Sequence, residues 1–166
     1  MSPAVDFHTG IAEPLDFACR LLRKAVRRGV RVLVTTPRAA ELDRLLWTFE
    51  VGDFVPHARC PEAPVSLLAR TPLWLAGSVD AALAVAKLGP AMPRVLVNLG
   101  AEPPPDASSF DRLIEIVGHE PDEAAAGRER WRGYKARGLD ITHHAPAGTV
   151  SSSGSSSVSS SGSSSA

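Results

Sequence analysis

The feature that most constrains this chain is the succession, in its first fifty residues, of short β-prone runs and helices with a 3.6-residue apolar period. Residues 4–8 alternate and read as a short first strand. Pro14 suits the first turn of a helix running to about Arg28, and Leu15, Ala18, Cys19, Leu22, Ala25 and Val26 follow the helical period. Gly29 closes that helix, and residues 30–35 read as a strand buried on both faces. Thr36 is placed to cap the next helix with Pro37 at its first position, and Leu42, Leu45, Leu46 and Phe49 carry the pattern onward. Strand, helix, strand, helix is the beginning of a doubly wound, mostly parallel α/β sheet with flanking helices.

The second half is less regular. Residues 51–64 read as a looser segment, and Leu73–Ala76 is the expected third strand, with residues 65–69 a competitor for that place. Residues 81–88 are Ala-rich and helical in propensity. Residues 94–99 form the clearest central strand, followed by an extended connection at Glu102-Pro103-Pro104-Pro105. A further strand is expected in the second half of residues 110–117, then a helix after Pro121, then a short last strand at residues 139–142. From Pro146 onward Ser and Gly dominate, too little apolar surface to offset ordering entropy. Residues 1–145 are therefore expected to form one domain and residues 146–166 a disordered tail.

Composition excludes several functions. Formal net charge is zero, so attraction to an anion must come from local patches rather than the whole surface. No run approaches eighteen apolar residues and no basic–apolar–small leader opens the chain, so a cytoplasmic protein with no membrane contact is expected. Cys19 and Cys60 lack CxxC spacing and read as buried apolar residues. Neither GxGxxG nor GxxxxGK[ST] is present, and His8-Thr9-Gly10 offers only one glycine where a phosphate loop would sit. His119-Glu120-Pro121 opens like HExxH but lacks the second histidine. His143-His144 reads as a surface pair, and His57 as a residue that pins its loop. The expectation is no catalytic residue, no metal and no cofactor.

What chemistry there is collects between Gly127 and Gly138. On a helix, Arg128, Trp131, Arg132 and Lys135 are spaced i, i+3, i+4 and i+7 and share a face, while Glu129, Arg130, Gly133 and Ala136 point elsewhere. Three cations around an indole suit a ligand both acidic and aromatic, such as the end of a peptide or a nucleic-acid strand. The same pattern also describes a solvated basic face, with Lys135 and Arg137 serving the helix dipole and Trp131 anchoring the core. A second concentration, Trp47, Phe49, Phe54 and Val55, either packs back over its own sheet or forms a patch for a partner. The residues alone favour self-packing.

Taken together, Leu46-Trp47 with Asp53-Phe54-Val55-Pro56-His57, Val95-Leu96-Val97-Asn98-Leu99, Ile114-Glu115-Ile116-Val117, and the run from Arg128 to Lys135 followed by Gly138 make a recognisable ordered set. This set resembles the chi subunit of bacterial DNA polymerase III holoenzyme, over most of the chain from about Val5 to His144. The resemblance implies a Rossmann-like α/β domain with no catalysis of its own, serving DNA replication at the nucleoid-associated replisome. It implies two partners: the psi subunit, which tethers chi to the clamp-loader complex, and the acidic, phenylalanine-ended C-terminal tail of single-stranded DNA-binding protein. Tail-binding positions of the family match Arg128, Trp131, Arg132 and the apolar Val117, with Lys135 beside them. The psi-facing surface matches Trp47 and Phe54, with Val55 and Pro56 adjoining. Ala124 stands where some members carry a lysine in the pocket. DNA would be met mainly indirectly. The rival reading is direct binding of single-stranded nucleic acid through the basic helix face at residues 20–31 or the Trp131 face. A nucleotide-modifying enzyme on the same sheet is disfavoured by the missing phosphate loop.

Overall fold

The computed structural model describes residues 2–146. Its elements in chain order are β1 (Ala4–Ile11), α1 (Pro14–Arg27), β2 (Val32–Thr35), α2 (Ala39–Thr48), β3 (His57–Cys60), α3 (Val65–Leu68), β4 (Leu73–Ala76), α4 (Val79–Ala86) and β5 (Val95–Asn98). A 3-10 turn (Ala107–Ser109), β6 (Arg112–Gly118), α5 (Pro121–Ala136) and β7 (Ile141–His144) follow. The strands make one seven-stranded sheet in the order β3-β4-β2-β5-β6-β1-β7. Every pair is parallel. This is the Rossmann-like, doubly wound α/β architecture that the strand–helix alternation implies.

Strand periodicity sends successive residues to opposite faces, and two apolar layers result. On one side Phe7, Leu33, Trp74, Leu96, Leu113 and Val117 pack with Val79, Ala82 and Val85 of α4 and Tyr134 of α5. On the other, Val32, Val34, Leu75, Val97, Ile114 and Ile116 meet Leu15, Ala18 and Leu22 of α1 and Leu42 and Leu46 of α2. With both faces covered, β2 and β4 are buried at every residue, which is why both are continuous apolar runs apart from Thr35.

Four local expectations are corrected. The segment 51–64 contains a strand, β3, so Leu73–Ala76 is the fourth rather than the third. β3 lies at the sheet edge with His57 and Arg59 half-buried, and a four-residue polar/apolar run of that kind carries little signal. Residues 65–69, the competitor strand, instead hold the short α3. α2 begins at Ala39, because the Thr36 hydroxyl accepts the Arg38 N–H at 3.1 Å and so closes a turn ahead of the helix. β7 starts two residues later than expected, which puts His143 and His144 in the sheet, where both are exposed as the surface-pair reading has it. The Ser/Gly tail expected at residues 146–166 lies, Pro146 apart, outside the described residues.

Candidate functional site

α5 leaves β6 after Gly118 with Pro121 in its first turn, and Asp122 and Glu123 there complement the positive end of the helix dipole. The helix comes close to the sheet because residue 127 is glycine: a Cβ there would lie 2.6 Å from Val117 Cγ1. Its inner side is tied down by a polar knot. Arg130 Nε donates to Glu115 Oε2 at 2.8 Å, and the Tyr134 hydroxyl donates to Oε1 at 2.7 Å. Asn98 Nδ2 donates to the same Oε1 at 2.9 Å, while Asn98 Oδ1 accepts from the Thr35 hydroxyl at 3.0 Å. Burial pushes the Glu115 carboxyl above the usual carboxylate range, against the pull of Arg130, Asn98 and Tyr134. Arg130 therefore turns inward, away from the Arg128 face, as the helical spacing requires. Its partner in β6 was invisible to that spacing.

With α5 so placed, a cleft of about 630 Å³ opens between its outer face and the ends of β1, β6 and β7. Phe7, Val117, Ala124 and Trp131 supply apolar lining, and Arg128, Arg132, His119 and His143 supply the polar lining. Phe7 meets Trp131 edge-on at 5.0 Å between centroids, and His143 meets the indole edge-on at 5.7 Å. His143 Nε2 lies 2.6 Å from the Thr9 hydroxyl. Among the described residues, no carboxylate lines the cleft. Arg132 pairs along the helix with Glu129, where both are exposed. Lys135 does not line the cleft; its Nζ lies 6.0 Å from the Trp131 ring centroid. The structure thus brings Val117, Arg128, Trp131 and Arg132 around one space and leaves Lys135 one turn away. Sequence reasoning did not foresee Phe7, Thr9, His119 or His143 here. The usable signal was strand parity, since Phe7 and Thr9 share a face and Phe7 is in register with His143. The arrangement is suited to holding an anion beside an aromatic or aliphatic group.

The model of one family, described as DNA polymerase III chi subunit, HolC, matches residues 2–142. The chain belongs to the DNA polymerase III chi subunit family. A DNA polymerase III subunit chi from Pseudomonas aeruginosa is 32% identical over 151 residues, covering 84% of this chain and 94% of the relative. The corresponding subunit of Haemophilus influenzae is 26% identical, covering 76% of this chain and 83% of the relative. That of Escherichia coli is 24% identical, covering 80% and 85%. As a chi subunit the chain is an accessory component of the replicative polymerase. Among its described residues no helix is long and apolar enough to cross a membrane.

A second surface of this chi-family chain lies at the end of α2. Trp47 is 57% exposed and Phe54 62%, their rings 5.5 Å apart. Val55 is buried and Pro56 half-buried beneath them. His57 holds the segment: Nδ1 lies 2.6 Å from the Val55 carbonyl, Nε2 3.2 Å from Asp43 Oδ1, and the ring meets Trp47 at 5.0 Å. Arg23 of α1 pairs with Asp53 from the other side. Self-packing therefore accounts for Val55 but not for Trp47 and Phe54. Val55 satisfies the loop's apolar demand, leaving the two larger rings outside.

Proposed function

We propose that this chi subunit is a non-catalytic adaptor. Its cleft takes the acidic, phenylalanine-ended C-terminal tail of single-stranded DNA-binding protein, and its Trp47–Phe54 surface, backed by Val55 and Pro56, docks psi and through it the clamp loader. The observation that carries the first half is the make-up of the cleft: an apolar interior of Val117 and Trp131, Arg128 and Arg132 beside it, and no acid in the lining. A terminal carboxylate and neighbouring aspartates would accept charge-assisted hydrogen bonds from the two guanidinium groups. A phenylalanine ring entering beside Val117 and Trp131 would contribute about 1.5–3 kcal/mol by burial. Ala124 adds to the apolar interior and supplies no cation, so anion binding rests on Arg128 and Arg132, with Lys135 acting only at longer range.

Calorimetric titration with the last ten or so residues of the cognate single-stranded DNA-binding protein tests this. Saturable one-to-one binding is expected, and Arg128→Ala should weaken it by about 1.5–3 kcal/mol, the size of a hydrogen bond to a charged group. A folded wild-type chain that takes up no peptide at low salt would remove the adaptor reading.

A further inference from the structure

We infer that His143 is a ligand-contacting residue of the cleft, and that through it the binding of a carboxylate-bearing peptide is coupled to uptake of a proton. The inference rests on the tail-binding reading above and adds a residue and a regulatory variable to it. His143 belongs to the last strand, beside β1, on the same sheet face as Phe7, and it is one of two imidazoles lining the cleft.

Its surroundings favour a charge change on binding. Across the strand pair Nε2 shares a hydrogen bond with the Thr9 hydroxyl, and from α5 the ring meets the edge of Trp131. The ionised side chains of α5 that line this space are Arg128 and Arg132, with Lys135 beyond the indole. Of the acids on and before α5, Glu129 pairs with the exposed Arg132, Glu120 lies 3.2 Å from His119, and Glu123 lies against Gly118 and lines a separate pocket with Arg38 and Arg130. On the opposite face of the sheet, Asp6 Oδ1 is 2.9 Å from His144 Nε2, and His144 stacks on His8 at 4.5 Å. Among the described residues lining the cleft there is no carboxylate to pair with Arg128 or with the His143 ring. An arriving carboxylate supplies one, pairing with the arginines and offering the protonated ring an acceptor. Protonation lets Nε2 donate to Thr9 while the second ring N–H serves the ligand, so neither nitrogen loses a partner.

The sign follows. The ligand's carboxylates are ionised throughout the imidazole range, so with the peptide's amino terminus acetylated only the protein titrates. Binding is tightest when the ring is already charged and weakens as pH rises through that range.

The test is peptide titration of the full chain at pH 6.0 and 8.0, in buffers of different ionisation enthalpy, with wild type, His143→Gln and His119→Gln. Wild type should bind roughly five- to tenfold more tightly at the lower pH, the scale of a single imidazole–carboxylate interaction. It should also take up a fraction of a proton per peptide. His143→Gln should lose most of the pH slope and His119→Gln should keep it. In the wild type itself, the NMR titration midpoint of the His143 ring should move upward on saturation with peptide. A pH-independent wild-type affinity, a slope retained in His143→Gln, or an unmoved ring midpoint overturns the inference while leaving tail binding intact. Absence of peptide binding at both pH values overturns the tail-binding reading itself.

Discussion

Glu115 and Arg130 are the pair on which the placement of α5 depends. The carboxylate has no exposed surface, the arginine is 8% exposed, and both ends meet at 2.8 Å. Removing one member of such a pair leaves a buried charge without its counter-ion, which costs about 3–5 kcal/mol. Arg130→Ala should therefore lower unfolding stability in denaturant titration by that amount, whereas Arg128→Ala, at an exposed position, should change it by less than about 0.5 kcal/mol. Equal effects of the two substitutions would contradict the division of the helix into a buried, structural face and an exposed one. That division was half legible in the sequence. Helical spacing separates Arg130 from Arg128, Trp131 and Arg132, but nothing local says that Arg130 finds an acid fifteen residues upstream, because Glu115 sits in a run of Ile, Ile and Val that otherwise reads as a plain buried strand.

At the scale of elements, β7 completes the cleft while being one of the two edges of the sheet. Its attachment to β1 includes an ion cluster in which Asp6 accepts from Arg112 Nε and lies 2.9 Å from His144 Nε2. Burial pushes the Asp6 carboxyl up, but hydrogen bonds from His144 and Arg112 outweigh it and hold the group below the usual carboxylate range. A lowered folded-state value stabilises the fold above the unfolded carboxylate range, and that contribution is lost as pH falls through the folded value. Asp6→Asn should flatten the loss of stability between about pH 5 and pH 3 and speed amide exchange in β7 at neutral pH. An acid limb identical to wild type would show that the cluster carries no stability. The central strands were readable because burial on both faces makes them unbroken apolar runs. β3 and β7 were missed or displaced because edge strands are half solvated and here only four residues long, so their pattern is that of a loop.

Across the whole molecule, the two surfaces proposed to be functional are carried by different parts of the chain, one on α5 and the last strand, the other on α2 and the segment after it. Exposed rings add little to the stability of the free chain, so Trp47→Ala and Phe54→Ala should each shift unfolding by no more than about 1 kcal/mol. If the surface is the psi site, either substitution should cost about 2 kcal/mol or more in psi affinity, as central aromatic anchors do, with tail-peptide binding unchanged. Full psi affinity in both variants would move that interface elsewhere. The zero net charge, and the tie between Arg23 of α1 and Asp53, argue against strong binding of naked single strands by the body of the protein. On the function proposed above, the α5 cleft is the receptor for the acidic tail, and amide and indole NMR spectra recorded during titration with the tail peptide test this. Val117, Gly118, Gly127, Arg128 and the Trp131 indole N–H should shift together and saturate, while α1 and the Trp47 indole stay still. Saturable shifts confined to α1 or to Trp47, with the cleft unmoved, would contradict it.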